Sequence, residues 1–255
     1  MQYFVRKDSI VRRIWGKGDT ILFIFAGASA EFALNKAVDW LYYTGKLPSD
    51  PLGRLFSTVS YARMIVFSEM AQALKAIDTM AHIHAGVEAR RGTQIPDWAY
   101  QDVLFMLIDY SIRAHELLEH RLSESEKHEV FDVFRRVGMR MNLSGLPQTY
   151  DQWLLMREQH MQQNLVKSPL TLDLYRQYQK HLGPVRYWFL KQAQILVVPQ
   201  FVRHTLGLGT LPLLAPVLAL YKLSRPLKLD GLLKSLLLPK QYQEEIRNLD
   251  VVTAS

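Results

Sequence analysis

The stretch 53–90, GRLFSTVSYARMIVFSEMAQALKAIDTMAHIHAGVEAR, contains no proline and spaces its apolar side chains as a helix does. Val66, Met70, Ala73, Ile77, Met80, His84 and Val87 succeed one another at steps of three or four, which is one helix face. The spacing predicts a long helix over about 53–90. Elsewhere no Asn-Gly or Asp-Gly turn separates alternating strands, and apolar spacing stays helical almost throughout. The fold class this implies is all-α.

Working outward, a helical region covers about 19–41, and 43–52, with Gly45, Pro48 and Pro51, reads as a loop. Pro96 and Asp97 open a helix to about Glu119. Ser123 with Glu126, and Thr149 with Gln152, have capping-box spacing for helices to about Val137 and Leu165. Ser168, Pro169 and Thr171 start another that Gly183 closes, and Pro184 begins one that stops before Pro199. The expected organisation is a single helical domain, 1–208, followed by an apolar and basic arm, 209–255.

The composition of the 255 residues suits a folded chain with a sizeable core: 49% hydrophobic, 22% charged. Thirty-one Lys and Arg against 24 Asp and Glu give +7, which suits an anionic surface or ligand without requiring one. Basic residues do not cluster with aromatics on one stripe, so nucleic acid is not expected as a partner. Cysteine is absent, which excludes disulfides, thiolate nucleophiles, zinc–thiolate and iron–sulfur sites and thiolate-ligated haem.

Two segments bear on membranes. Arg6 to Arg13, the apolar run 20–26 and Ala28-Ser29-Ala30 imitate a secretory leader. Asp19 against a short apolar run favours a retained helix, and hence a cytoplasmic protein. The uncharged run 205–221 is short of the ~20 residues a span needs, and Pro212 and Pro216 interrupt it. Beyond it, Lys222, Arg225, Lys228 and Lys234 interleave with leucines, as in an element lying on a bilayer. The same arm suits packing on the core or on a second subunit as a homodimer.

Histidine is the scarce ligand type. Residues turn ~100° along a helix, so His82 and His84 point apart and only His84 falls on the apolar face. Such a histidine is by default a hydrogen-bonded core residue. As a functional one it suits an axial ligand to haem iron, with Met80 and Val87 of the same stripe against the cofactor. The run 115–120, HELLEH, fails both zinc-protease spacings, because the needed histidine positions hold Glu119 and Glu116. It reads as a solvated helix end. Phosphate loops, dinucleotide glycine motifs and nucleophile elbows are absent.

Arg54 and Thr58 share a helix face at the start of the same stretch. Together they could hold a polar ligand by charge-assisted hydrogen bonds, or Arg54 could simply pair with Asp50. On a straight helix they would lie ~40 Å from His84. A common site therefore needs a break, near 57–63 or at Ser68-Glu69.

These residues resemble one family. Gly27 to Ala30, DPLGRL at 50–55, Thr58, Val66-Phe67 and HAGV at 84–87 are similar in order and spacing to the mpaB/rubber oxygenase family, over roughly 14–208. The resemblance implies an all-α, globin-like fold and a haem b oxygenase that uses dioxygen on an apolar, isoprenoid- or lipid-like substrate, with cleavage of a carbon–carbon double bond. It implies His84 as iron ligand, and Arg54 and Thr58 as polar residues on the opposite side. The chain departs from the family at Ala89 and at Met106 to Asp109, and it lacks the upstream glutamate, for which Asp39 is the nearest substitute. Arg90 and Arg91 follow His84 as candidate partners for haem carboxylates. The alternative function is a non-catalytic haem- or lipid-binding protein at a membrane surface.

Overall fold

The computed structural model describes residues 2–45 and 49–224. Its helices, in chain order, are α1 (Ile10–Trp15), α2 (Gly18–Leu34), α3 (Val38–Tyr43), α4 (Pro51–Phe67), α5 (Met70–Arg91) and α6 (Asp97–Leu118), then α7 (Glu124–Arg140), α8 (Tyr150–Asn164), α9 (Pro169–Val197), α10 (Gln200–Leu206) and α11 (Ala215–Ser224). Among the described residues there is no strand, only the isolated bridges Tyr3–Glu69 and Asn35–Leu165. The protein is all-α.

Side-chain caps account for several helix starts. Ser123 and Glu126 exchange both capping-box hydrogen bonds, and Ser168 and Thr171 do the same. Thr149 accepts from the Gln152 N–H, but Gln152 reaches back to the Gln148 N–H rather than to Thr149. Asp50 caps α4 through the Gly53 N–H, with Pro51 at its first position. Gly183 takes φ 72° and ψ 170°, a conformation open chiefly to glycine, and divides α9 into two helices at Pro184.

α2 is the central element and packs most extensively on α6 and α9. The run 20–26 therefore lies in the core helix, with Ile21, Ile24 and Phe25 buried. Gly27 allows the approach of Tyr110: a Cβ at position 27 would stand 2.2 Å from the ring. One turn on, Glu31 is buried and pairs with Arg157 of α8 through two contacts of 2.5 Å, while the Tyr110 hydroxyl donates to it at 2.7 Å. Arg157 also donates to Asp109, which accepts from Arg113. Burial alone would lower the Arg157 pKa; the Glu31 and Asp109 carboxylates more than reverse it.

The region 19–41 is not one helix. It breaks at Asn35, whose side chain accepts from the Ala37 N–H and donates to buried Asp102 on α6. Asp102 also accepts from Asn164 and meets the His160 ring at 2.6 Å. A side chain that satisfies the backbone locally competes with the helix, and here distant partners fix the outcome.

The stretch 53–90 likewise divides, at Ser68-Glu69, into α4 and α5, which pack side by side. No glycine or proline marks the turn. Instead the N-terminal strap lies across it: the Met70 N–H donates to the Gln2 carbonyl at 2.9 Å, and Tyr3 bridges Glu69. Arg12 donates to the carbonyls of Val5 and Phe67, with its guanidinium over the Tyr3 and Phe67 rings.

The run 115–120 is not a solvated end. His115 is only 3% exposed, packed edge-on against His120 at 5.2 Å, and neither of its ring nitrogens has a hydrogen-bond partner. Of the arm, residues 209–224 are described: Leu211 and Leu213 are exposed, and α11 returns to α2, where the Tyr221 hydroxyl donates to Asp19. Arg225, Lys228, Lys234 and the leucines among them lie outside the described residues, as do 46–48 of the expected loop. Among the described residues no helix is long and apolar enough to cross a membrane.

Candidate active site

The break at Ser68-Glu69 brings distant sequence together. α4 and α5 run beside one another, and with α2, α3, α6, α7 and both halves of α9 they surround a cavity of about 390 Å³. That is within the range of small-molecule sites, ~300–1,000 Å³. Arg54 and Thr58 of α4, Met80 and His84 of α5, Tyr100 of α6 and Arg186 of α9 all line it. The remainder of the wall is almost wholly apolar, and among the described lining residues there is no carboxylate. Val87 does not reach the cavity. His82 faces away, exposed, with Nδ1 at 2.7 Å from the Asp78 carbonyl oxygen.

His84 is half-buried, and its Nδ1 is enclosed without a hydrogen-bond partner. Burial first, and then the Arg54 charge, lower its pKa; Glu88 and the carbonyl of Met80, one turn back, oppose them more weakly. The ring is thus held neutral, the form in which an imidazole nitrogen can bind a metal. Tyr100 stands edge-on to it at 5.2 Å and donates from its hydroxyl to Glu88, which also accepts from the Ile95 N–H. Tyr100 and Glu88 thereby fix one side of the imidazole.

Arg54 does not pair with Asp50. Its Nη1 donates to Ser57 at 3.2 Å, burial lowers its pKa, and it makes no ion pair among the described residues. Thr58 donates to the Arg54 carbonyl at 3.2 Å. Arg186, which spacing did not single out, is the second guanidinium at the cavity, and its buried Nε has no partner. Its only sequence signal is the Gly183-Pro184 break, which places it in the first turn of a new helix.

The other candidates lie elsewhere. Asp39 pairs with Arg91 at 2.7 Å, and the Arg91 guanidinium covers Trp40 at 4.0 Å. Neither Asp39, Arg90 nor Arg91 lines the cavity. Among the described residues the buried acids, Glu31, Asp102 and Asp109, serve helix packing, and no carboxylate lines the cavity.

The site is thus a helical shell around an apolar cavity, with the His84 imidazole and the Arg54 and Arg186 guanidinium groups at its wall. Residues 12–225 match the family described as ER-bound oxygenase mpaB/B'/Rubber oxygenase, catalytic domain. The chain belongs to this family of oxygenases. No curated protein and no solved structure matches it.

Proposed function

We propose that the chain is a haem b-dependent oxygenase that uses dioxygen on an apolar, isoprenoid- or lipid-like substrate, cleaving a carbon–carbon double bond. The observation that carries this reading is His84: an imidazole whose pKa burial lowers, at the wall of an apolar cavity. Among the described residues no three His, Asp or Glu side chains converge as metal ligands. An iron held by His84 therefore needs most of its ligands from a macrocycle, and the apolar walls suit one. A haem also carries two carboxylates, and Arg186 is a charged group at this wall that could meet one of them.

When bound, the haem would supply the redox-active iron that dioxygen chemistry requires. The chain's own residues do the rest. His84 would hold the cofactor, and Tyr100, fixed by its hydrogen bond to Glu88, packs edge-on against its ring. The Arg54 guanidinium would provide a hydrogen-bond donor where an oxygen atom gaining charge is favoured, with Thr58, whose hydroxyl donates to the Arg54 carbonyl, beside it. Met80 and the surrounding aliphatic side chains exclude water and accept the hydrocarbon. Cleavage of one double bond by one dioxygen places one oxygen on each carbon, giving two carbonyls, and needs no external reductant.

The test is the absorption spectrum of protein isolated from haem-replete cells. A Soret band that His84→Ala abolishes and His82→Ala leaves intact supports the assignment. Its absence from the unmodified protein overturns it. Oxygen uptake with polyenes then separates an oxygenase from a protein that only stores haem or lipid.

A further inference from the structure

Residues 174–229 hold eight of the 31 lysines and arginines and none of the 24 acidic residues. The remainder carries 23 cations against 24 acids, so the net charge of +7 arises within this stretch. Six of the eight are described: Arg176, Lys180, Arg186, Lys191, Arg203 and Lys222. None forms an ion pair among the described residues, whereas Arg13, Lys17, Arg91, Arg113, Arg140 and Arg157 all do.

Large apolar side chains are exposed in the same stretch. Val185 is 64% exposed, Trp188 39%, Leu211 72% and Leu213 57%. Val185, Trp188 and Gln192 share one face of α9 beyond the Gly183 break. Gln192 accepts from the Leu213 N–H at 2.8 Å, which fastens the 211–213 segment beside that face. On the neighbouring face Arg186, Phe189, Leu190 and Ala193 line the cavity. A single helix, ~10 Å across, thus stands between the cavity and this surface.

We propose that the face formed by Val185, Trp188, Leu211 and Leu213, with Lys191 one turn beyond Trp188, seats the protein on an anionic lipid bilayer. Aliphatic side chains and a tryptophan among long cationic stems match an interface where hydrocarbon submerges and ammonium groups stay at phosphate level. A second copy would set unpaired cations against one another. A nucleic acid would leave the aliphatic side chains without a partner. The seat places a reservoir of apolar substrate beside the cavity wall. It does not depend on what fills the cavity: vesicle binding without a Soret band would leave it standing.

The experiment uses the full chain with phosphatidylcholine vesicles, with or without 30% phosphatidylserine, and with brominated lipid as a quencher of tryptophan emission. Sedimentation with the anionic vesicles that falls as salt rises is the expected result, with little on the neutral ones. Lys191→Glu should weaken partitioning roughly five-fold or more. Trp188→Phe should keep the binding and remove a component of the quenching. Failure to sediment with anionic vesicles overturns the proposal. So does quenching that Trp188→Phe leaves unchanged, or a dimer in solution that Leu211→Asp dissociates.

Discussion

Glu31 and Arg157, 126 positions apart in sequence, meet in the core through two parallel contacts of 2.5 Å. The pair joins the central helix to α8, and Asp109 and Tyr110 complete it from α6. It lies outside the cavity and holds together the scaffold around it.

Removing one member of such a pair leaves an uncompensated buried charge, at a cost of about 3–5 kcal/mol. Glu31→Gln should therefore lower the Tm by on the order of 10 °C. Adding Arg157→Met should lower it by less than the sum of the single effects, read by calorimetry as a double-mutant cycle.

Gly27→Ala and Gly86→Ala make a matched pair. The first forces a methyl group into the Tyr110 ring, which its bond to Glu31 holds in place, so a loss of about 1–3 kcal/mol is expected. The second meets nothing within 4 Å on an exposed helix surface and should gain up to ~1 kcal/mol. Denaturation midpoints in urea check both; equal effects would refute the account of Gly27.

His115 makes stability depend on pH. Burial lowers its pKa from 6.5 to about 4, opposed by Glu119 and Glu126 and assisted by His120 and Lys17. The folded state thus keeps the ring neutral where the unfolded chain takes up a proton. Its contribution is present above pH 6.5 and is lost as pH falls towards 4, roughly 3 kcal/mol in all. Urea midpoints from pH 7 to 4.5 should fall less steeply in His115→Leu than in the unmodified protein.

Arg186 bears on the haem reading. Arg186→Ala should weaken haem retention by roughly ten- to a hundred-fold, the worth of a charge-assisted hydrogen bond. The difference should vanish with haem dimethyl ester, which carries no charge for the guanidinium to meet. Retention measured by transfer to apomyoglobin reports it without any turnover. An unchanged rate with haem itself removes Arg186 from the site.

Sequence made the helices legible wherever the cause is local. Ser123 and Ser168 form the capping boxes their spacing says, Thr149 forms only half of one, and Gly183-Pro184 splits α9 at the expected place. The Asn35 break was hidden because Asp102, 67 positions away, decides it. Ser68-Glu69 was one of two candidate breaks, and only the strap of the first residues distinguishes them. Polar neighbours made His115 look solvated, although α1, α2 and α7 all pack on α6. In the cavity His84, Met80, Arg54 and Thr58 could be named from periodicity and resemblance. Tyr100 and Arg186 could not, since their places depend on contacts made, or left unmade, across the fold.

The strap carries a practical consequence. It holds the turn that sets the Arg54 helix beside the His84 helix, yet none of its residues lines the cavity. A preparation nicked by a protease within the first five residues would keep every wall of the chamber. It would lose the hinge pin between the two helices, so a sample with a disturbed chamber would still look intact by circular dichroism.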